Sequence, residues 1–272
     1  MTDSEATAYM PESFRRPTPV IGAIHDTMTI ARRNIIDLRR VPQLFVFTMI
    51  QPVIFVILFR YVFGGALAKI PGIPYVDYLM PGIFVQTVTF GAITTGISMA
   101  TDVKSGILER FRSLPMASSG VLAGRTVADL GRTVLVVALI SLVGFAVGFR
   151  IHASWLAYIF AMLVVLLFAY SLLWVFTTVG LVLGNPESAQ AASFPVVAPL
   201  VFASSAFVPV ATMPSWLQGF AKYQPVSVTA SAVRALVLGL PARSWVTQSI
   251  LWSVGIFLVM APLAVWRYRK SV

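Results

Sequence analysis

Apolar residues run through this chain in long blocks separated by short polar stretches. Six blocks, residues 44–63, 79–100, 121–149, 155–183, 193–212 and 245–266, match the roughly 20 residues an α-helix needs to cross bilayer hydrocarbon. Alternation of apolar and polar positions, the mark of a membrane barrel, is absent. Closed helices satisfy every backbone N–H and C=O inside the segment, so the pattern predicts an all-α polytopic membrane protein with about six transmembrane helices.

The chain ahead of these blocks divides in two. Residues 1–19 begin with the polar, acidic run Met1-Thr2-Asp3-Ser4-Glu5 and read as a disordered cytoplasmic terminus with no cleaved signal peptide. In residues 20–41, Ile21, Ile24, Met28, Ala31, Ile35 and Leu38 recur at steps of three and four, with Arg32, Arg33, Arg39 and Arg40 gathered at the carboxyl end. That predicts an amphipathic interfacial helix drawn to anionic lipid headgroups; a helix packed on a soluble partner is the alternative. Residues 42–272 then form the six-helix transmembrane domain. Its third block opens with Arg125, Asp129 and Arg132, whose spacing lets Asp129 pair with either arginine before the helix enters hydrocarbon.

Composition agrees: 58% of residues are hydrophobic and 11% charged, and mean hydropathy is +0.85. There is no cysteine, which excludes disulfides and thiolate metal sites. The net charge of +10 lies between apolar blocks rather than on a basic soluble face, so it reads as topology and not as nucleic-acid binding. With the amino terminus inside, fourteen of the twenty Lys and Arg fall in the cytoplasm. Both termini are therefore placed in the cytoplasm of a bacterial cell membrane. Arg60, Lys69, Arg150, Lys222, Arg234 and Arg243 fall at or beyond the outer ends.

Enzymatic chemistry finds no support. The only histidines, His25 and His152, fall on opposite sides of the membrane, and no G-x-x-x-x-G-K-[ST] phosphate loop exists. Asp102, Asp129 and Glu187 fall at cytoplasmic helix ends and Asp77 outside, so no carboxylate is expected at the midplane, as proton coupling would need. No metal or cofactor is assigned to this chain. Gly144-x-x-x-Gly148 and Gly180-x-x-x-Gly184 predict close helix packing within the subunit, with a dimer contact as the alternative. Pro52, Pro195 and Pro199 predict kinks or breaks, and the pair in block five a flexible or discontinuous segment. Gln51, Gln86, Thr87 and Thr89 are polar at membrane depth and are the candidates for a translocation path.

Between blocks two and three, residues 102–116 are too charged to span and too apolar for a bare linker. Ile107, Leu108, Phe111 and Leu114 share one face of a short helix ended by Pro115, and Glu109, Arg110 and Arg112 ring that face. With Gly124-Arg125, this stretch resembles the loop of type-2 ABC exporter permeases, especially the daunorubicin-resistance permease family of actinobacteria. Gln51-Pro52-Val53, Tyr78-Leu79-Met80-Pro81-Gly82, Phe207-Val208-Pro209, Met213-Pro214-Ser215-Trp216-Leu217, Gln224-Pro225-Val226 and Arg234-Ala235-Leu236 extend the resemblance over nearly the whole chain. Ile107 departs from the G-T-x-E pattern of the wider superfamily.

The resemblance implies a transmembrane permease subunit of an ATP-binding-cassette exporter moving a hydrophobic or amphipathic drug, polyketide or lipid outward. Its partners would be two ABC ATPase subunits, which bind ATP and Mg, and a second permease subunit, the same or a related chain, all among membrane lipids. Gly106, Ile107, Leu108, Glu109, Arg110, Phe111, Arg112 and Leu114 would form the ATPase-coupling helix. Residues 213–239 would form short extracellular re-entrant helices capping the exit. The competing readings are an ion-coupled secondary transporter, which would need internal inverted repeats, and a non-transporting membrane assembly subunit.

Overall fold

The computed structural model describes residues 42–62, 73–108 and 118–270, and among them every regular element is helical. The interfacial-helix residues Arg32, Arg33, Arg39 and Arg40 lie outside the described residues, as do Glu109, Arg110, Phe111, Arg112 and Leu114 of the loop helix. In chain order the helices are α1 (Pro42–Ile57), which runs into a π-helical turn (Leu58–Val62), α2 (Tyr75–Lys104), α3 (Ser118–Val147), α4 (Trp155–Leu183) and α5 (Pro186–Phe202). A 3₁₀ turn (Val210–Thr212) follows, then α6 (Ser215–Tyr223), α7 (Pro225–Leu238) and α8 (Arg243–Lys270). Residues 75–104, 122–147, 155–183 and 243–270 are long and apolar enough to cross a membrane; α1 and α5 are shorter than the spans expected of them.

Local chemistry sets where these helices stop. The Ser154 hydroxyl accepts from the Ala157 N–H at 3.2 Å to start α4, and Gly184 ends it at φ +62°, a conformation open to glycine at little cost. Asn185 at once caps the next helix, accepting from the Glu187 N–H at 2.9 Å, with Pro186 in the first helical position. α5 thus begins seven residues earlier than the apolar block and ends at Phe202 rather than running to residue 212. It is continuous through Pro195 and Pro199, so of the two expected alternatives the discontinuous one falls away. Both prolines lie on its exposed face, while Ala189, Ser193, Val197 and Val201 form the buried stripe against α2.

α4 is the central post, packed most extensively on α2 and α8. One core cluster, with Leu79, Ile83, Phe84, Phe149 and Phe168 fully buried, fills the bundle from the Tyr75 end of α2 to mid-length; a second, around Met99, Leu122, Trp174 and Tyr268, closes the Lys104 end. The glycine pairs divide their work. A Cβ on Gly180 would strike the Gly96 carbonyl and Met99 of α2, and Gly144 receives the Met80 side chain, so these two permit close helix contact. Gly148 (φ +106°) and Gly184 instead turn the chain at helix ends.

The Tyr75 end is organised by one buried cation. Arg234 of α7, counted by the charge pattern among outward cations, is 8% exposed. Its Nε donates to the Tyr78 carbonyl at 3.1 Å and its Nη2 to the Ser205 carbonyl at 2.7 Å, while the guanidinium lies 3.7 Å from the Tyr78 ring centroid. Tyr75 donates to the Phe207 carbonyl at 3.2 Å and Tyr78 to the Ser205 carbonyl at 3.1 Å. Gly82 lies so close to Ala206 that a Cβ would overlap its backbone. The turn after α3 joins in, with the His152 and Ala153 N–H groups bonded to the Val237 carbonyl, and His152 Nε2 standing 2.7 Å from the buried Asp77 carboxylate. That Asp–His pair ties loop to helix.

Arg234→Met should lower stability by about 1–3 kcal/mol, since it takes charge-assisted donors from the Tyr78 and Ser205 carbonyls and the cation from the Tyr78 ring, and Arg234→Lys should recover only part because an ammonium lacks the planar fork. Thermal unfolding in mild detergent reads both. Gly180→Ala should cost about 1–3 kcal/mol by overpacking, whereas Gly131→Ala, which meets nothing within 4 Å, should be neutral or stabilising in the same assay.

Candidate functional site

A cavity of about 260 Å³ opens between α1, α2 and α3. Gln51 and Pro52 line it from α1, Gln86, Thr87, Val88, Phe90, Gly91 and Thr94 from α2, and Arg132, Thr133 and Val136 from α3. The sequence places these side chains by helical register. Gln86, Phe90 and Thr94 recur every four residues down one edge of α2, and Arg132, Thr133 and Val136 face them from α3. Pro52 interrupts the hydrogen-bond ladder of α1 where that helix borders the cavity.

Gln86 is 3% and Thr87 8% exposed, yet Gln86 Oε1 and Thr87 Oγ1 have no hydrogen-bond partner among the described residues. Unpaired buried polar atoms cost about 1–3 kcal/mol each, so their retention marks a place where something else supplies the bond. Three of the four path candidates, Gln51, Gln86 and Thr87, therefore stand around one cavity. Thr89 does not line it; its hydroxyl donates to the Val85 carbonyl at 2.6 Å, one helical turn back.

Below the cavity, toward the Lys104 end, α2 and α3 are joined by a polar seam. Arg132 Nη2 donates to Thr94 Oγ1 at 2.6 Å, Thr95 Oγ1 donates to Asp129 Oδ2 at 2.8 Å, and Arg125 pairs with Asp102 and donates to Ser98. Asp129 chooses Arg132, at 3.8 Å, over Arg125, which α2 has captured. The sequence reading placed Asp129 at a helix end. It stands eleven residues into α3, on the half nearer the Lys104 end, and is bonded across the seam to Thr95. Lys104 and Glu187, 3.5 Å apart, join the last turn of α2 to the first of α5.

Of the loop-helix residues, Gly106 turns the chain at φ +70° after α2, and Ile107 is partly buried. Leu108 packs into the core cluster with Met99 and Leu122, so it anchors the segment instead of facing outward. Arg132 as a cavity cation went unread in the sequence; the signal was present, since Arg132 and Val136 lie four apart on the face opposite Gln86 and Phe90.

Residues 25–238 match the family described as ABC-2 type transporter. The chain belongs to the ABC-2 type transporter family. Among relatives, the daunorubicin resistance ABC transporter permease protein DrrB1 of Streptomyces coeruleorubidus is 35% identical over 92% of this chain and 88% of its own. The probable doxorubicin resistance permease DrrC of Mycobacterium tuberculosis is 25% identical over 82% of this chain and 81% of its own. The transport permease ycf38 of Cyanophora paradoxa is 27% identical over 87% and 81%. This ABC-2 chain is thus a multi-pass permease subunit.

Gln86→Leu should raise the melting temperature of the ABC-2 permease in detergent, because it removes an unpaired acceptor worth about 1 kcal/mol or more. The same variant should transport more slowly; a fall in stability would show that Gln86 holds the fold together.

Proposed function

We propose that this permease exports a hydrophobic or amphipathic compound, of the drug or polyketide kind, from the cytoplasmic leaflet outward through the cavity bounded by Gln51, Gln86 and Thr87. The observation that carries the reading is that cavity itself, with unpaired polar atoms between long apolar helices of an ABC-2 permease. Relatives named for daunorubicin and doxorubicin resistance give the cargo class. α1 and α5 join the four long helices to make six crossings, and the Lys104 end faces the cytoplasm with both termini. α6 and α7 are the re-entrant cap at the opposite end.

Energy comes from two separate ATPase subunits that hold ATP and Mg, and a second permease subunit completes the path. The helix over residues 106–114 docks into the ATPase through Phe111 and Leu114, anchored by Leu108 in the permease core. The amphipathic helix over residues 20–41, with Arg32, Arg33, Arg39 and Arg40, braces that docking at the lipid surface. From the cavity an aromatic series leads toward the Tyr75 end: Phe90 to Phe202 at 6.4 Å, Phe202 to Phe207 at 5.8 Å, and Phe207 to Phe59 at 4.5 Å between ring centroids. Flat apolar cargo finds stacking partners along it.

Purification from native membrane in mild detergent should retain a P-loop ATPase in near-equal amount by mass spectrometry. Phe111→Asp, which puts a charge on the docking face, should release it while leaving the permease folded. If no ATPase is ever retained, the exporter reading gives way to a self-contained transporter.

A further inference from the structure

Gly91, in the interior of α2, is a glycine the fold does not require. Glycine at such a position is less stable than alanine, because its backbone has more freedom to lose. Its φ is not left-handed, and a Cβ built on it would meet nothing within 4 Å. On Gly82 and Gly96 of the same helix a Cβ would instead strike the Ala206 and Phe176 backbone. Nor is Gly91 a hinge. Its carbonyl accepts from Thr94 Oγ1 at 2.7 Å, and Thr94 in turn accepts from Arg132 at 2.6 Å, which pins this turn to α3. What the missing side chain leaves is space, and Gly91 lines the cavity between Phe90 and Thr94.

Two unpaired groups mark that space as a place for a ligand. Gln86 and Thr87 line it, are almost fully buried, and leave Oε1 and Oγ1 unbonded. Thr87 departs from its neighbours here, since Thr89 and Thr101 both donate to the carbonyl four residues back. Arg132 is paired with Asp129 at 3.8 Å, so its charge is compensated, and Val88, Phe90 and Val136 supply apolar lining.

We propose that Gly91 sets the width of the cargo: the cavity takes an uncharged compound whose rigid fused-ring body lies directly on the α2 backbone at Gly91, while a hydroxyl or N–H of the compound reaches Gln86. The inference rests on the cavity being the cargo site and adds a width limit with the residue that sets it. A rigid body cannot change shape around an added side chain and takes the full cost of overpacking, whereas an alkyl chain rotates past it. The discrimination is steric, made by what position 91 leaves out.

The test is a scintillation proximity assay on the full chain in zwitterionic-lipid nanodiscs without ATP, with empty discs subtracted. The probes are tritiated pyrenemethanol and tritiated dodecanol, which share one hydroxyl and differ in width. Gly91→Leu should weaken pyrenemethanol by about tenfold or more and dodecanol by less than about threefold, with Gly91→Ala intermediate. Gly255→Leu, at an exposed glycine of α8 that also meets nothing within 4 Å, should leave both affinities unchanged. The melting temperature of Gly91→Ala in detergent should hold or rise, because alanine is the better helix former in open space. Should Gly91→Leu fail to elute as a single species, the ratio of the two affinities in Gly91→Ala decides. Equal losses for the two probes, a ring affinity insensitive to position 91, or a lower melting temperature in Gly91→Ala overturns the proposal. Gln86→Leu separates the levels of failure. If it weakens both probes while position 91 has no effect, the cavity stands as the cargo site and only the width limit falls; if neither position matters, or nothing binds saturably, both fall. A missing ATPase sinks the exporter reading and leaves this result standing.

Discussion

A buried guanidinium with no carboxylate beside it holds the Tyr75 end of this protein together. Arg234 is satisfied by the Tyr78 and Ser205 carbonyls and by the face of the Tyr78 ring. Removing such a group from water is costly, and several donors placed on fixed carbonyls are what offset it. The geometry therefore fixes α2, the loop after α5 and α7 relative to one another. Gln224 repeats the tactic on a smaller scale, capping α7 at the Val226 N–H and donating from Nε2 to the Leu200 carbonyl at 2.8 Å. With those partners set, Phe207 is held where it can stack on Phe59 and close the far side of the aromatic series.

α2 serves three neighbours with three faces. Gly82 and Gly96 bring backbone against the loop at Ala206 and against α4. Thr94, Thr95, Ser98 and Asp102 bond the charged turns of α3, and Gln86, Thr87 and Phe90 are left to the cavity. The seam and the cavity share Arg132, so the residue that helps hold α2 to α3 also lines the space between them.

Much of this was legible in the chain. The four long helices follow from unbroken apolar length, and Gln51, Gln86 and Thr87 stood out because a polar side chain at membrane depth needs a reason. Motifs that carried the family resemblance from separate stretches, around Tyr78, Phe207, Gln224 and Arg234, meet in space at the Tyr75 end. What the pattern could not show was pairing. Arg234 was counted among the cations at or beyond the outer ends, and one-dimensional charge counting cannot see the three carbonyls, more than 25 residues away in sequence, that hold it buried. Asp129 was read with Arg125 and Arg132 alone because its partner Thr95 belongs to another helix. The prolines of α5 left a flexible and a broken helix both open, because a missing N–H weakens a helix without deciding whether the rest of the ladder holds.

That unbroken α5 has a mechanical consequence. Pro195 and Pro199 leave the carbonyls of Ala191 and Pro195 without their usual donors, both on the exposed side of the helix. Flexing in the direction that opens this side ruptures no backbone bond, whereas flexing the other way drives proline rings into the preceding turn. α5 is therefore compliant in one sense and stiff in the other, like a leaf spring. Phe194 and Phe202, which flank the two prolines and each stand by Phe90, would ride on that bend together.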